Sequence, residues 1–215
     1  MNILMFNYEY PPIGGGGGVA HELIAEELAK RHRVVVVTSG TADLARRETR
    51  AGVEIVRVPV MGRNSRSVAT LRSMMSYPPA AWWASRRLLR DESFDVVNSH
   101  FAIPTGPASL PVAKRAGIPH VLSIHGGDIF DPSKRLSPHR WAILRRLVST
   151  IMKGSAEVVA QSENTRSNAY EYFSYKGPIR IIPLGLRYPE PPTVSRDELG
   201  IPADRFVLVT AGRLI

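Results

Sequence analysis

Five consecutive glycines at positions 14–18 separate an apolar run (Ile3, Leu4, Met5, Phe6) from an amphipathic one (Val19, Ala20, Leu23, Ile24, Leu28). A chain that turns sharply from strand to helix, and lets a ligand approach its backbone, needs residues without a Cβ. The N–H groups of a helix's first turn lack intrahelical partners and stand at the positive end of its dipole. Such a loop therefore suits phosphate, carboxylate or sugar hydroxyls. A flexible loop without a ligand is the alternative. A second candidate is His125, which is followed by Gly126, Gly127 and Asp128. An imidazole there can orient a hydroxyl or share a proton near neutral pH. His100, at the end of another apolar run, and His21, beside the glycines, are weighed evenly between a functional and a structural role.

The elements that must position these groups follow from periodicity. Apolar runs at 3–6, 34–37, 53–58, 94–98, 120–124, 157–160 and 179–182 predict seven strands. The run at 34–37 is apolar at every position, the habit of a strand covered on both faces. Helices are expected from near Val19, over 104–116, 138–153 and 163–173, with residues 39–52 a loop. Residues 60–93 are expected to hold a helix over 68–76, a break at Pro78-Pro79 and a second helix carrying Trp82 and Trp83. Two adjacent tryptophans cannot both face one core. One is expected inside, and the other under an arginine stem or at an interface. The alternation predicts an α/β, doubly wound, mostly parallel Rossmann-like sheet with helices on both faces.

In such a sheet ligands bind beyond the carboxyl ends of the strands. Polar residues expected there are Asn7, Glu9, Thr38, Asn98, His100, His125, Asp128, Gln161, Ser162 and Glu163. Thr38-Ser39 stands where a nicotinamide fold would carry an acidic residue, and the glycines are not followed by the Lys-Ser/Thr pair of a triphosphate loop. The chain contains no Gly-x-Ser-x-Gly elbow and no Asp-x-Asp pair, and His125 with Asp128 does not make a metal site. What remains is a site of glycine backbone, histidine and small polar groups, suited to a polyhydroxy ligand.

The 215 residues are 44% hydrophobic, enough for a substantial core, and contain no cysteine, which removes disulfides and thiolate chemistry. The net charge of +9 is concentrated. Residues 61–90 carry Arg63, Arg66, Arg72, Arg86, Arg87 and Arg90, and residues 132–156 carry Lys134, Arg135, Arg140, Arg145, Arg146 and Lys153, with no acid in either stretch. Such clusters attract anionic surfaces such as lipid headgroups, or are solvated helix faces. No apolar run reaches the roughly 18 residues that span a bilayer and no secretory leader is visible, so a cytoplasmic location, peripheral on the membrane's inner face, is expected. Nucleic-acid binding has only the charge in its favour.

In order along the chain, Glu9-Tyr10-Pro11-Pro12 with the glycines and His21, the run 94–100, Ser123-Ile124-His125-Gly126-Gly127-Asp128, Ile182-Pro183-Leu184-Gly185 and Gly212-Arg213 resemble the retaining, nucleotide-sugar-dependent glycosyltransferases of family 4, which have the GT-B fold. The resemblance implies an N-terminal acceptor-binding domain over 1–187, a linker over 188–205, and at 206–215 the first strand of a donor-binding domain otherwise missing from this chain. It implies a UDP-, GDP- or ADP-sugar as donor substrate with no permanently bound cofactor or metal, and a carbohydrate or lipid-linked acceptor. Gly15, Gly16 and Gly17 would approach the donor phosphates or reacting sugar. His125 would hydrogen-bond the transferred sugar, with His100 and Asp128 beside it, and Arg213 would neutralise the diphosphate. The family's usual Asn-Gly-Val-Asp is here Leu184-Gly185-Leu186-Arg187. Its donor-holding lysine and glutamates would lie beyond Ile215, so this chain alone is expected to have little or no transferase activity. The competing readings are a non-catalytic module binding a phosphorylated metabolite and half of a GT-B sugar epimerase.

Overall fold

The computed structural model describes residues 1–185 and 194–210. Residues 188–193 of the linker expected over 188–205, and Arg213, lie outside the described residues. The chain runs β1 (Asn2–Phe6), α1 (Gly16–Ala29), β2 (Arg33–Gly40), β3 (Arg47–Arg50), β4 (Val53–Pro59), α2 (Leu71–Asp91), β5 (Val96–His100), α3 (Gly106–Ala116), β6 (His120–Ile124), a short 3-10 turn (Pro138–Arg140), α4 (Ala142–Gly154), β7 (Glu157–Ala160), α5 (Glu163–Tyr172) and β8 (Ile179–Ile181). The eight strands form one sheet in the order β3-β4-β2-β1-β5-β6-β7-β8. All pairs are parallel except β3 with β4.

Alternation along β1 and β2 divides the core between two faces. Leu4, Phe6, Val35 and Val37 pack with Tyr77 and Ala81 of α2 and with Ala108 and Val112 of α3. Ile3, Met5, Val34 and Val36 pack with Ala25 of α1 and with Val53 and Ile55. Burial of each such side chain contributes about 1.5–3 kcal/mol. A third cluster joins α3, α4 and α5 to Leu122, Ile124 and Val158. The doubly wound sheet expected from the sequence is therefore present.

Three local expectations are corrected. The loop expected over 39–52 contains β3, an eighth strand whose sequence Arg-Glu-Thr-Arg has no apolar residue. It is an edge strand, held by antiparallel pairing to β4 rather than by burial. The two helices expected around Pro78-Pro79 are one, α2, with both prolines inside it. The prolines remove the donors that would reach the carbonyls of Met74 and Met75. Against that loss, Ser73, Tyr77, Ala81 and Ser85 recur every fourth residue on one buried stripe. The helix start is also secured, because Thr70 Oγ1 accepts from Ser73 N at 3.1 Å while Ser73 Oγ accepts from Thr70 N at 3.0 Å. On α2, Trp82 is partly buried against the core and Trp83 is 58% exposed, both rings lying under Arg86. Finally, residues 206–210 form no strand, and Phe206, Leu208 and Val209 are exposed. Without a neighbouring strand a β-type sequence has no ladder to join.

Candidate active site

The strand order reverses between β1 and β5, the place where open α/β sheets leave a crevice at the carboxyl ends of their strands. The turn after β1 carries the glycines. The turns after β5 and β6 carry His100-Phe101 and His125-Asp128.

The glycine run divides by environment. The helix starts at Gly16, three residues before the position expected, so Gly16, Gly17 and Gly18 form its first turn with Gly15 as cap. A Cβ on Gly17 would lie 2.3 Å from Phe101 Cζ, and one on Gly18 would lie 3.2 Å from the Ile13 carbonyl oxygen. Gly14 has φ +98, and its Cβ would meet the Glu9 side chain at 2.5 Å. A Cβ on Gly15 or Gly16 would meet nothing within 4 Å. The fold therefore requires three of the five glycines, while two face open space. Asn7 ties the turn together: its Nδ2 donates to the Gly17 carbonyl at 3.3 Å and its Oδ1 accepts from Glu9 N at 3.0 Å. The Glu9 carboxylate accepts from Gly15 N at 3.1 Å, so a carboxylate already sits at this helix start.

Phe101 joins the turn to the histidines. It has a left-handed backbone (φ +70), and its ring centroid lies 4.3 Å from that of His125. His125 Nε2 and His100 Nδ1 share a hydrogen bond of 2.8 Å, and the His100 ring stands edge-on to buried His21 at 4.5 Å. Burial lowers the pKa of His125 to about 4 and of His21 to about 3, and drives His100 well below the ordinary histidine range. All three are neutral at pH 7, so in the His100–His125 pair one ring donates and the other accepts. Neither nitrogen of His21 has a hydrogen-bond partner among the described residues.

Asp128 faces inward. Its Oδ2 accepts from Ala102 N at 2.6 Å and its Oδ1 from His125 N at 2.9 Å, which clamps the turn after β5 to the turn after β6. Burial raises its pKa to about 6. Gly126, at φ +95, makes the turn that brings this carboxylate back, and its carbonyl accepts from Ile129 N and Phe130 N.

The structure thus brings Gly15, Gly16, Gly17, His21, His100, His125 and Asp128 to one rim. Of the other strand-end candidates, Asn7 and Glu9 hold the glycine turn of this rim, whereas Thr38, Ser162 and Glu163 are engaged elsewhere. Thr38 and Ser39 lie within β2 and donate to the Tyr8 carbonyl, Ser162 caps α5 by accepting from Thr165 N, and Glu163 pairs with Arg166. Phe101 was not singled out from the sequence, because nothing in a residue type announces a left-handed backbone at a large aromatic. Among the described residues, no three histidine or acidic side chains converge as metal ligands, and no helix is long and apolar enough to cross a membrane.

A doubly wound sheet with a glycine turn and paired imidazoles at its switch point has the architecture of the N-terminal domain of GT-B glycosyltransferases. Residues 14–185 match the family described as "Glycosyl transferase 4-like domain", and the chain belongs to that family. It is 31% identical over 133 residues to TuaC of Bacillus subtilis (strain 168), a protein named for teichuronic acid biosynthesis as a glycosyltransferase. That match covers 59% of this chain and 32% of TuaC. It is 29% identical over 128 residues to the uncharacterized glycosyltransferase MJ1178 of Methanocaldococcus jannaschii, covering 60% of this chain and 33% of that protein. The matches therefore span about a third of the curated relatives' length. A sucrose-phosphate synthase from Thermosynechococcus elongatus superposes with a TM-score of 0.70 at 15% identity, over 95% of this chain and 53% of that one, which shows a shared fold.

Proposed function

We propose that this chain is the acceptor-side domain of a retaining glycosyltransferase that moves a sugar from a UDP-, GDP- or ADP-sugar to a carbohydrate or lipid-linked acceptor. The observation that carries this reading is the junction of the open face of the glycine turn with His125 at the switch point, within a family of glycosyltransferases. Gly15 and Gly16 leave room for a donor phosphate or the reacting sugar at the α1 start. His125, neutral and oriented by His100, hydrogen-bonds a hydroxyl of the transferred sugar. Asp128 acts as a positioning residue, since both its oxygens hold backbone N–H groups. Hydrogen bonding to a neutral imidazole and close backbone contact supply orientation and charge stabilisation. The leaving diphosphate then takes the acceptor proton on the same face.

A second, donor-binding domain would complete the site, with Arg213 near the diphosphate. This agrees with the curated relatives' being about three times as long as the stretches they share with this chain. The 215 residues alone should then turn over little or no donor. A lipid-linked acceptor at the cytoplasmic membrane face is favoured by exposed Trp83, which lies under Arg86, and by Ile143 (75% exposed) on α4, a helix that also carries Arg145, Arg146 and Lys153. Sedimentation with anionic vesicles that fades with added salt supports the membrane part, and indifference to lipid charge removes it.

The test of the whole is sugar transfer by the protein with its donor-binding domain present, using the three nucleotide classes and NMR of the product's anomeric carbon. Retention of configuration is expected. Inversion overturns the retaining mechanism, and the absence of transfer or donor cleavage with every donor overturns the reading.

A further inference from the structure

Behind the turn that carries the glycines lies a cleft of about 250 Å³ at the carboxyl ends of β2 and β4, lined by Gly40, Thr41, Arg46, Arg57, Arg63 and Asn64 among others. Among the described residues, no acidic side chain lines it. Arg57 projects from β4 and is 3% exposed, and Arg63 is 7% exposed. A guanidinium cannot shed its charge, so burying one is costly unless its donors are met. Arg57 meets this demand in part: Nη2 donates to the Pro11 carbonyl at 3.0 Å and lies 2.9 Å from Glu48 Oε1. Its Nε and Nη1 have no partner among the described residues. Arg63 donates through Nε and Nη2 to the carbonyls of Ser65 and Arg66 and stacks at 4.8 Å on Tyr8, while its Nη1 is likewise unpartnered. Arg46 is exposed at the mouth. The nearby carboxylate of Asp43 is engaged by Arg66 and Thr41. A Cβ on Gly40 would stand 2.8 Å from Arg57 Cβ, so the arginine stem fits only against a glycine.

Arg46, Arg57 and Arg63 line the cleft and Glu48 pairs with Arg57 alone, which leaves an excess of two positive charges that matches a phosphate monoester dianion. The planar fork of arginine suits a phosphoryl group. We propose that this cleft binds the phosphoryl group of a small phosphate ester, at a site separate from the glycine and histidine rim. It adjoins that rim through the shared turn: Arg57 and Arg50 both hold the Pro11 carbonyl, and Gly14 N donates to the Arg66 carbonyl at 2.8 Å. A bound ester would fasten the turn from behind. The proposal stands on the arginines and does not depend on the transferase reading.

The test is titration of the protein with inorganic phosphate and with glucose 6-phosphate at constant ionic strength, followed by calorimetry and by NMR of the arginine Nε–H groups. Saturable binding with a Kd below about 1 mM is expected. The ester should bind at least as tightly as inorganic phosphate, with shifts in the Nε–H resonances of buried arginines. Arg46→Gln and Arg63→Gln should each weaken binding about tenfold, the usual scale for a hydrogen bond to a charged group. Arg57→Gln would strand Glu48 and threaten the fold, so exposed Arg46 is the variant to read first. Absence of saturable binding, affinity unchanged in both variants, or exclusion of the ester while inorganic phosphate binds would each overturn the proposal.

Discussion

The two flanks of the turn after β1 use opposite electrostatics. On the β5 and β6 side, three imidazoles and an aspartate are buried so that the imidazoles are neutral at pH 7. On the β2 and β4 side, guanidiniums are buried whose charge is permanent. The first flank can hydrogen-bond a neutral polyhydroxy ligand in a fixed direction, and its character changes with pH. The second attracts anions at every pH. One turn of about ten residues thus separates a surface of direction from a surface of charge.

The largest expected effect lies on the neutral flank. His125→Ala should lower transfer turnover about a hundredfold, the scale for losing one preorganised hydrogen-bond donor, and should also cost about 1–3 kcal/mol of stability because it leaves His100 Nδ1 unpaired and Phe101 without its ring contact. Turnover within a few-fold of the unaltered protein would leave His125 without the assigned role.

Acid should separate the flanks next. A histidine whose folded pKa is depressed gives stability that is complete above its unfolded pKa of about 6.5 and is lost as pH falls toward the folded value. For His125 and for core His120, lowered to about 4 by burial, the loss should reach about 1–2 kcal/mol each at pH 5. Asp128 acts in the opposite sense. Its raised value favours the folded state as pH falls from about 6 toward the ordinary carboxylate value, and so offsets part of the loss. Urea midpoints at pH 7.5, 6 and 5 should therefore decline, and a flat profile contradicts the neutral burial. Phosphate affinity, by contrast, should follow only the ligand's own ionisation near pH 6.

Smaller effects test the division within the glycine run. Gly17→Ala should cost about 1–3 kcal/mol by displacing Phe101 from His125. Gly15→Ala should stay within about 0.5 kcal/mol, since its Cβ meets nothing, so any loss of turnover there reports a ligand. Equal destabilisation by both would erase the distinction between fold-bearing and ligand-facing glycines.

The sequence made some of this legible and concealed the rest for physical reasons. The β1 and β2 runs are apolar throughout because both sheet faces are covered, and that pattern located the strands. β3 escaped because an edge strand of Arg-Glu-Thr-Arg owes its state to a neighbour's hydrogen bonds. The continuity of α2 is hidden in the sequence because local proline geometry argues for a break, while a buried stripe of Ser73, Tyr77, Ala81 and Ser85 outweighs it. His125 and the glycines were recognisable from residue type and place. Phe101 and the burial of Arg57 were not, since each depends on contacts with distant segments.

The edge strand carries one more consequence. An unpaired ribbon of backbone at a sheet margin invites another chain to add itself, the first step toward fibrils. β3 presents alternating full charges at one margin, and at the other β8 is three residues long. Neither border offers a long, flat, greasy template, so self-templated aggregation through the sheet is discouraged at both ends. Replacing Arg47 and Thr49 by valine should raise thioflavin-positive aggregate formation at constant concentration.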